Sequence, residues 1–197
     1  MARRDRPDSY SKQARREGYP ARSVYKLEEL QRRLTLIRPG MRVLDVGAAP
    51  GSWSQFAAKI VGSGGLVVAV DLAELPAIEG TKNVETITGD ICDEQVIARI
   101  VELGPYDAIV SDAAPRTSGN RTLDTVRSAA LVEQVLSLCD RALAPDGNLV
   151  AKLFQGGEEQ RLLHEIRRRF SAGRLVKPKA SRDESFEAFL VGKGYQA

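Results

Sequence analysis

From residue 41 onward, short apolar runs alternate with segments of helical periodicity, and that alternation leaves few folds open. Met41–Val46, Leu66–Val70, Val84–Thr88, Tyr106–Ser111 and Asn148–Phe154 read as strands. Helical stretches follow at Ser52–Val61, about Asp93–Glu102, Asp124–Leu143 and about Glu158–Phe170. Most of these strands are near-continuously apolar, the pattern of strands buried on both faces, so the sheet is expected to be parallel and covered by helices on each side. Right-handed crossovers connect such strands. Two closing strands, near Arg174–Lys177 and Phe186–Val191, are expected to run antiparallel to each other across a short connection. Ahead of the rhythm, Ala21–Leu34 reads as a helix with an apolar stripe of Val24, Leu27, Leu30 and Leu34. Lys26 lies off that stripe, on the polar flank with Arg22 and Arg33. Residues 1–20 are polar and carry Pro7, Gly18 and Pro20. The expected organisation is therefore a basic mobile arm over 1–20 and a single α/β domain over 21–197.

Several chemistries are disfavoured by what the chain contains. Cys92 and Cys139 are far apart and His164 is the sole histidine, an inventory that offers no nitrogen- or sulfur-ligated metal site and fits a reducing compartment. No apolar run reaches membrane-spanning length, and Met1–Arg6 is not followed by the apolar core of a secretory signal, so a cytoplasmic protein without metal is expected. Charge is unevenly spread. Residues 1–33 carry 10 Lys/Arg against 5 Asp/Glu, residues 161–197 carry 9 against 4, and residues 34–160 carry 10 against 17. Basic ends around an acidic middle suit a polyanionic partner, and nucleic acid is the natural candidate. Arg3, Arg4, Arg6, Lys12, Arg15, Arg16 and Arg22 at one end, with Arg174, Lys177, Lys179 and Arg182 at the other, could track phosphates. Tyr10 and Tyr19 could stack on bases.

In a doubly wound sheet, ligands collect at the carboxyl ends of the strands. There the sequence places Asp45-Val46-Gly47-Ala48-Ala49-Pro50-Gly51-Ser52-Trp53, then Asp71, Gly89-Asp90 and Ser111-Asp112. Small residues let the backbone turn and approach a ligand, and Asp71, 20 residues beyond Gly51, has the spacing of a carboxylate that grips a ribose diol. Pro50 interrupts the glycine pattern that cradles a pyrophosphate. A ring of carboxylates repels phosphate and suits a cationic, phosphate-free adenosine cofactor, a description that S-adenosylmethionine meets.

One charge remains to be explained. Lys152 stands inside the apolar run Gly147–Phe154, where an unpaired ammonium costs several kcal/mol. It either snorkels to the strand end or has a function. Five ordered blocks bear on the choice: Gly18-Tyr19-Pro20-Ala21-Arg22-Ser23-Val24-Tyr25-Lys26-Leu27, the Asp45–Gln55 turn, Ser111-Asp112-Ala113-Ala114-Pro115 with Ser118-Gly119, Lys152-Leu153-Phe154-Gln155-Gly156, and Ser181-Arg182 through Ser185-Phe186-Glu187. In these blocks the chain resembles the FtsJ-like ribose 2′-O-methyltransferases, from about Glu17 to Gly192.

The resemblance implies a doubly wound, mostly parallel, seven-stranded Rossmann-like fold dependent on S-adenosylmethionine. It implies a catalytic tetrad of Lys26, Asp112, Lys152 and Glu187, and cofactor contacts from Gly51, Trp53, Asp71, Asp90 and Asp112. Ser52 stands where a second glycine is usual, and Phe189 where tyrosine is common. Lys152 is then either the general base or a charged group orienting the 2′-oxygen. The implied partner is RNA, a uridine of 23S-type ribosomal RNA in the large subunit, and nothing in the sequence demands more than a monomer. Transfer-RNA anticodon-loop methylation and a non-catalytic RNA-binding assembly factor are the alternatives. A nicotinamide dehydrogenase lacks its pyrophosphate loop.

Overall fold

The structure, a computed structural model, describes residues 9–78, 81–182 and 185–197. Its elements are α1 (Ser9–Arg16), α2 (Val24–Leu34), β1 (Arg42–Val46), α3 (Ser52–Val61), β2 (Leu66–Asp71), β3 (Val84–Thr88), α4 (Glu94–Glu102), β4 (Tyr106–Ser111), α5 (Arg121–Ala142), β5 (Leu143–Phe154), α6 (Glu159–Arg169), β6 (Phe170–Val176) and β7 (Glu187–Tyr195). The seven strands form one sheet in the order β3-β2-β1-β4-β5-β7-β6. The first five are parallel, and β7 is inserted antiparallel to both β5 and β6. This is a doubly wound, mostly parallel sheet, as the strand–helix rhythm predicts.

Alternation along the strands sorts two cores. Val43, Val67, Val110, Val150, Phe189 and Val191 pack with Leu27 and Leu30 of α2 and Trp53, Ala57 and Val61 of α3. Their sequence neighbours Leu44, Val68, Ile109, Leu149, Ala151 and Leu190 turn to the other face, against α4, α5 and α6. Since side chains alternate along a strand, Lys152 shares the α2 side with Val150, and Glu187 shares it with Phe189. Lys152 is opposite Phe189 and Phe154 opposite Glu187 in the β5–β7 register.

Two expectations need amendment. Part of the polar stretch 1–20 is helical, since α1 spans Ser9–Arg16 and buries Ala14 against Val24, Tyr25 and Ala180; residues 1–8, and with them Arg3, Arg4 and Arg6, lie outside the described residues. β5 begins at Leu143 rather than Asn148, taking in Pro145-Asp146-Gly147 as an irregularity with Asp146 at φ 62°. The link between β6 and β7 occupies residues 177–186, as the expected strand bounds imply to within a residue. No helix among the described residues is long and apolar enough to cross a membrane.

Candidate active site

The sheet changes winding direction at β1, whose neighbours are β2 and β4. A cleft of about 340 Å³ opens beyond the carboxyl ends of these strands, lined by Gly47, Asp71, Leu72, Gly89, Asp90, Ile91, Asp112 and Ala113 among others. Its depth depends on Gly47, at φ 74°, where a Cβ would lie 2.6 Å from the Ala113 backbone. Any larger residue would drive the turn after β1 into the turn after β4. Asp71 is pinned: its Oδ2 accepts the Ala49 N–H at 2.9 Å and its Oδ1 the Ala73 N–H at 2.9 Å. A carboxylate has further lone pairs, so it can still receive a diol. Asp90 similarly accepts the Cys92 N–H at 2.9 Å.

The carboxylates are not all alike. Asp45, expected among the acids around the cleft, is instead fully buried beneath the turn, where Ser54 Oγ–H donates to its Oδ2 at 2.5 Å. Burial, with the charges of Asp112 and Asp71, pushes its pKa up to about 7 against the opposing pull of Ser54. Gly51 and Trp53 are not among the residues that line this cleft. Gly51, at φ 102°, caps α3. Trp53 is buried, donates its indole N–H to the Ser23 carbonyl at 2.9 Å, and lies with its ring centroid 5.8 Å from that of Phe189. It braces the start of α2, on which Lys26 stands. Ser52, in the position where glycine is usual, accepts the Ala21 N–H on its hydroxyl at 2.7 Å, which ties the segment before α2 to the turn. Leu72 and Ile91, which the sequence reading passed over, line the cleft directly after Asp71 and Asp90. The available signal was an apolar residue immediately following each strand-end acid, and Leu72 is 72% exposed.

The four scattered charged residues meet at the edge of this cleft. Lys152 Nζ lies 2.9 Å from Asp112 Oδ1 and donates to the Asp112 backbone carbonyl. Lys26 Nζ lies 2.6 Å from Glu187 Oε1 and 4.0 Å from Asp112 Oδ1. The side chains are only 9–17% exposed, so each charge depends on its partner. Burial pushes the Glu187 pKa upward, yet the charge and hydrogen bond of Lys26, with help from Ser181 and Lys152, outweigh it and leave the group lowered. On the far side of the tetrad is a second cleft of about 430 Å³, lined by Arg22, Ser23, Lys26, Thr117, Phe154, Arg182, Ser185, Phe186 and Glu187. Asp112 thus faces one cleft while Lys26 and Glu187 face the other, with Lys152 bonded to Asp112 between them. Two compartments meeting at one amine and one carboxylate can bring a donor and an acceptor together.

A family model described as FtsJ-like methyltransferase matches residues 19–195, nearly the whole chain. The chain belongs to this family. Among curated FtsJ-like relatives, the ribosomal RNA large subunit methyltransferase E of Treponema denticola is 45% identical over 190 residues, covering 96% of each chain. The protein of the same name from Syntrophobacter fumaroxidans is 47% identical over 186 residues, covering 94% of each. Among solved structures, one described as a ribosomal RNA methyltransferase from Plasmodium falciparum superposes with a TM-score of 0.79 at 25% identity, covering 90% of this chain and 98% of that one. The structure of a fibrillarin/Nop5p complex shares the fold alone, at TM-score 0.60 and 18% identity over 81% of this chain and 75% of that one.

Tyr10 and Tyr19, expected as base-stacking groups, are engaged within the protein. The Tyr10 ring meets Tyr25 at 5.5 Å and carries the Arg22 guanidinium at 5.2 Å, and Lys59 sits 4.2 Å above Tyr19.

Proposed function

We propose that this FtsJ-like protein methylates a ribose 2′-hydroxyl of RNA, using S-adenosylmethionine, and that its target is a uridine of large-subunit ribosomal RNA. The observation that carries the reading is the Lys152–Asp112 contact at the junction of the two clefts. S-adenosylmethionine, when bound, supplies a methyl group already activated on a sulfonium. The acidic cleft fits it: Asp71 is stationed for the ribose diol, Leu72 and Ile91 offer apolar walls for a purine, and among the described residues no basic side chain lines the cleft to call for a phosphate. Gly51 and Trp53 act by shaping the turn and bracing α2.

The protein's task is to place the 2′-oxygen in line with the methyl and relieve it of its proton. Lys152, as the neutral amine, would take that proton as the 2′-oxygen gains the methyl carbon and the sulfonium, losing it, becomes a thioether. Asp112 fixes the lysine through two oxygens while facing the donor, and the Lys26–Glu187 pair anchors the acceptor ribose. Relatives named for the large ribosomal subunit support the choice of RNA, as do the basic ends of the chain. Residues 21–197 then constitute one methyltransferase domain acting as a cytoplasmic monomer without metal.

The test is labelled-methyl transfer to large ribosomal subunits, free ribosomal RNA and transfer RNA in parallel, followed by mapping of the label. Label on the ribose of a large-subunit uridine is the expected result. Label on a base, or on transfer RNA alone, overturns the reading.

A further inference from the structure

We propose that the corner formed by Phe154 and Phe186 seats the nucleobase of the reacting nucleotide, so that the enzyme acts on a base that is unpaired and turned out of its helix. This rests on the ribose 2′-O reading above and says where the rest of that nucleotide goes.

The second cleft presents a charged set, Lys26 and Glu187 with Arg22 and Arg182, and an aromatic set, Phe154 and Phe186. Register sets the distance between them. Lys152 and Phe154 project from the same face of β5, roughly 6.7 Å apart at two residues of strand rise, and Phe154 is opposite Glu187. A ribose held at the tetrad therefore has its base, one glycosidic bond away, directed at the rings.

These two rings are not core residues. Phe170 and Phe189 are buried, and Phe56 packs against the core. Phe154 and Phe186 are half-buried and belong to none of the hydrophobic clusters among the described residues. They contact each other instead, with centroids 4.8 Å apart and planes tilted by 57°, and the Arg121 guanidinium lies 5.0 Å from the Phe186 centroid. Aromatic rings and guanidinium planes are the surfaces on which splayed RNA bases stack. Ser23, Thr117 and Ser185 line the same cleft. A base inside a duplex has both faces covered by its neighbours and cannot enter, so the acceptor must be single-stranded or extruded.

The test uses the full chain and two readouts. Methyl transfer to large ribosomal subunits is compared for the wild type, Phe186→Ala, Phe154→Leu and Phe186→Tyr, with melting temperature and S-adenosylmethionine affinity by calorimetry as controls for folding and for the donor cleft. Loss of stacking predicts a roughly 5- to 150-fold fall in kcat/KM for Phe186→Ala and Phe154→Leu, mostly through KM for RNA, with cofactor affinity within about twofold and most of the loss recovered by Phe186→Tyr. Separately, a short oligouridylate carrying a central 2-aminopurine ribonucleotide is titrated with each protein. Quenching by the wild type that disappears in Phe186→Ala and Phe154→Leu supports the proposal. Unchanged kinetics in both variants overturns it and leaves the ribose reading standing, and so does quenching that is absent or insensitive to the substitutions. A wild type that methylates no RNA sinks the ribose reading, and with it the proposal.

Discussion

Asp45 and Glu187 are both buried carboxylates, and their surroundings move them in opposite directions. Asp45 has one hydroxyl donor, a second oxygen without a partner and two acidic neighbours, and is held up to about 7. Because an unfolded aspartate titrates near 3.9, the folded protein binds this proton more tightly, and stability must fall as pH rises from about 4 to about 7. The linkage amounts to as much as roughly 4 kcal/mol at 1.36 kcal/mol per unit. Urea midpoints between pH 5 and 8 should therefore fall with pH through this group, and Asp45→Asn should flatten the slope. Glu187, held down, works the other way: its pairing with Lys26 is intact above the ordinary glutamate range and is lost as pH drops through the lowered value. At the reactive centre, Lys152→Ala should reduce methyl transfer by about 10²–10⁴-fold, the usual worth of a positioned proton acceptor, while calorimetry still detects cofactor binding. Turnover near wild type would remove Lys152 from the chemistry. Of these residues, Asp112 and Lys152 were legible in the sequence because charge at the end of or inside an apolar strand demands a reason. Lys26 and Glu187 were legible only through the motif, since no local pattern says that α2 packs across β5 and β7.

At the scale of elements, the parallel strands could be read directly, because continuous apolar runs and turn residues agree. α1 could not, as Ser9–Arg16 is polar and hides a single small anchor, Ala14. Pro145-Asp146-Gly147 looks like a break, yet β5 runs through it at the cost of a register shift against β4. The link from β6 to β7 was legible in its bounds, which fall within a residue of those observed. It carries Ser181, Arg182, Ser185 and Phe186 toward the second cleft before the chain turns back into the sheet. The turn after β1 offers a direct test. Gly47→Ala combines an unfavourable φ of 74° with a Cβ 2.6 Å from Ala113. It should lower stability by about 1–3 kcal/mol and weaken cofactor binding at least tenfold, as the two turns are forced apart. Calorimetry and thermal melting measure both.

Across the whole molecule, Asp71, Asp90 and Asp112 of the acidic middle line the first cleft, and Arg22 and Arg182 of the basic ends line the second. The fold class was legible as a pattern of periods, whereas the insertion of β7 between β5 and β6 was not, because strand order depends on long-range pairing that local periodicity leaves undetermined. If the basic ends carry the RNA, the logarithm of affinity should fall linearly with the logarithm of salt concentration, and Arg182→Ala should reduce that slope by about one while leaving the choice of nucleotide intact. Filter binding at several ionic strengths reads this directly, and a flat response would exclude the phosphate path.

The tetrad draws one residue from α2, one from the end of β4, one from β5 and one from β7. A nascent chain folded only as far as β5 could cradle the methyl donor yet would lack the carboxylate that pairs Lys26. On the proposed reading, the four-residue constellation is complete only once the final strand takes its slot between its two neighbours.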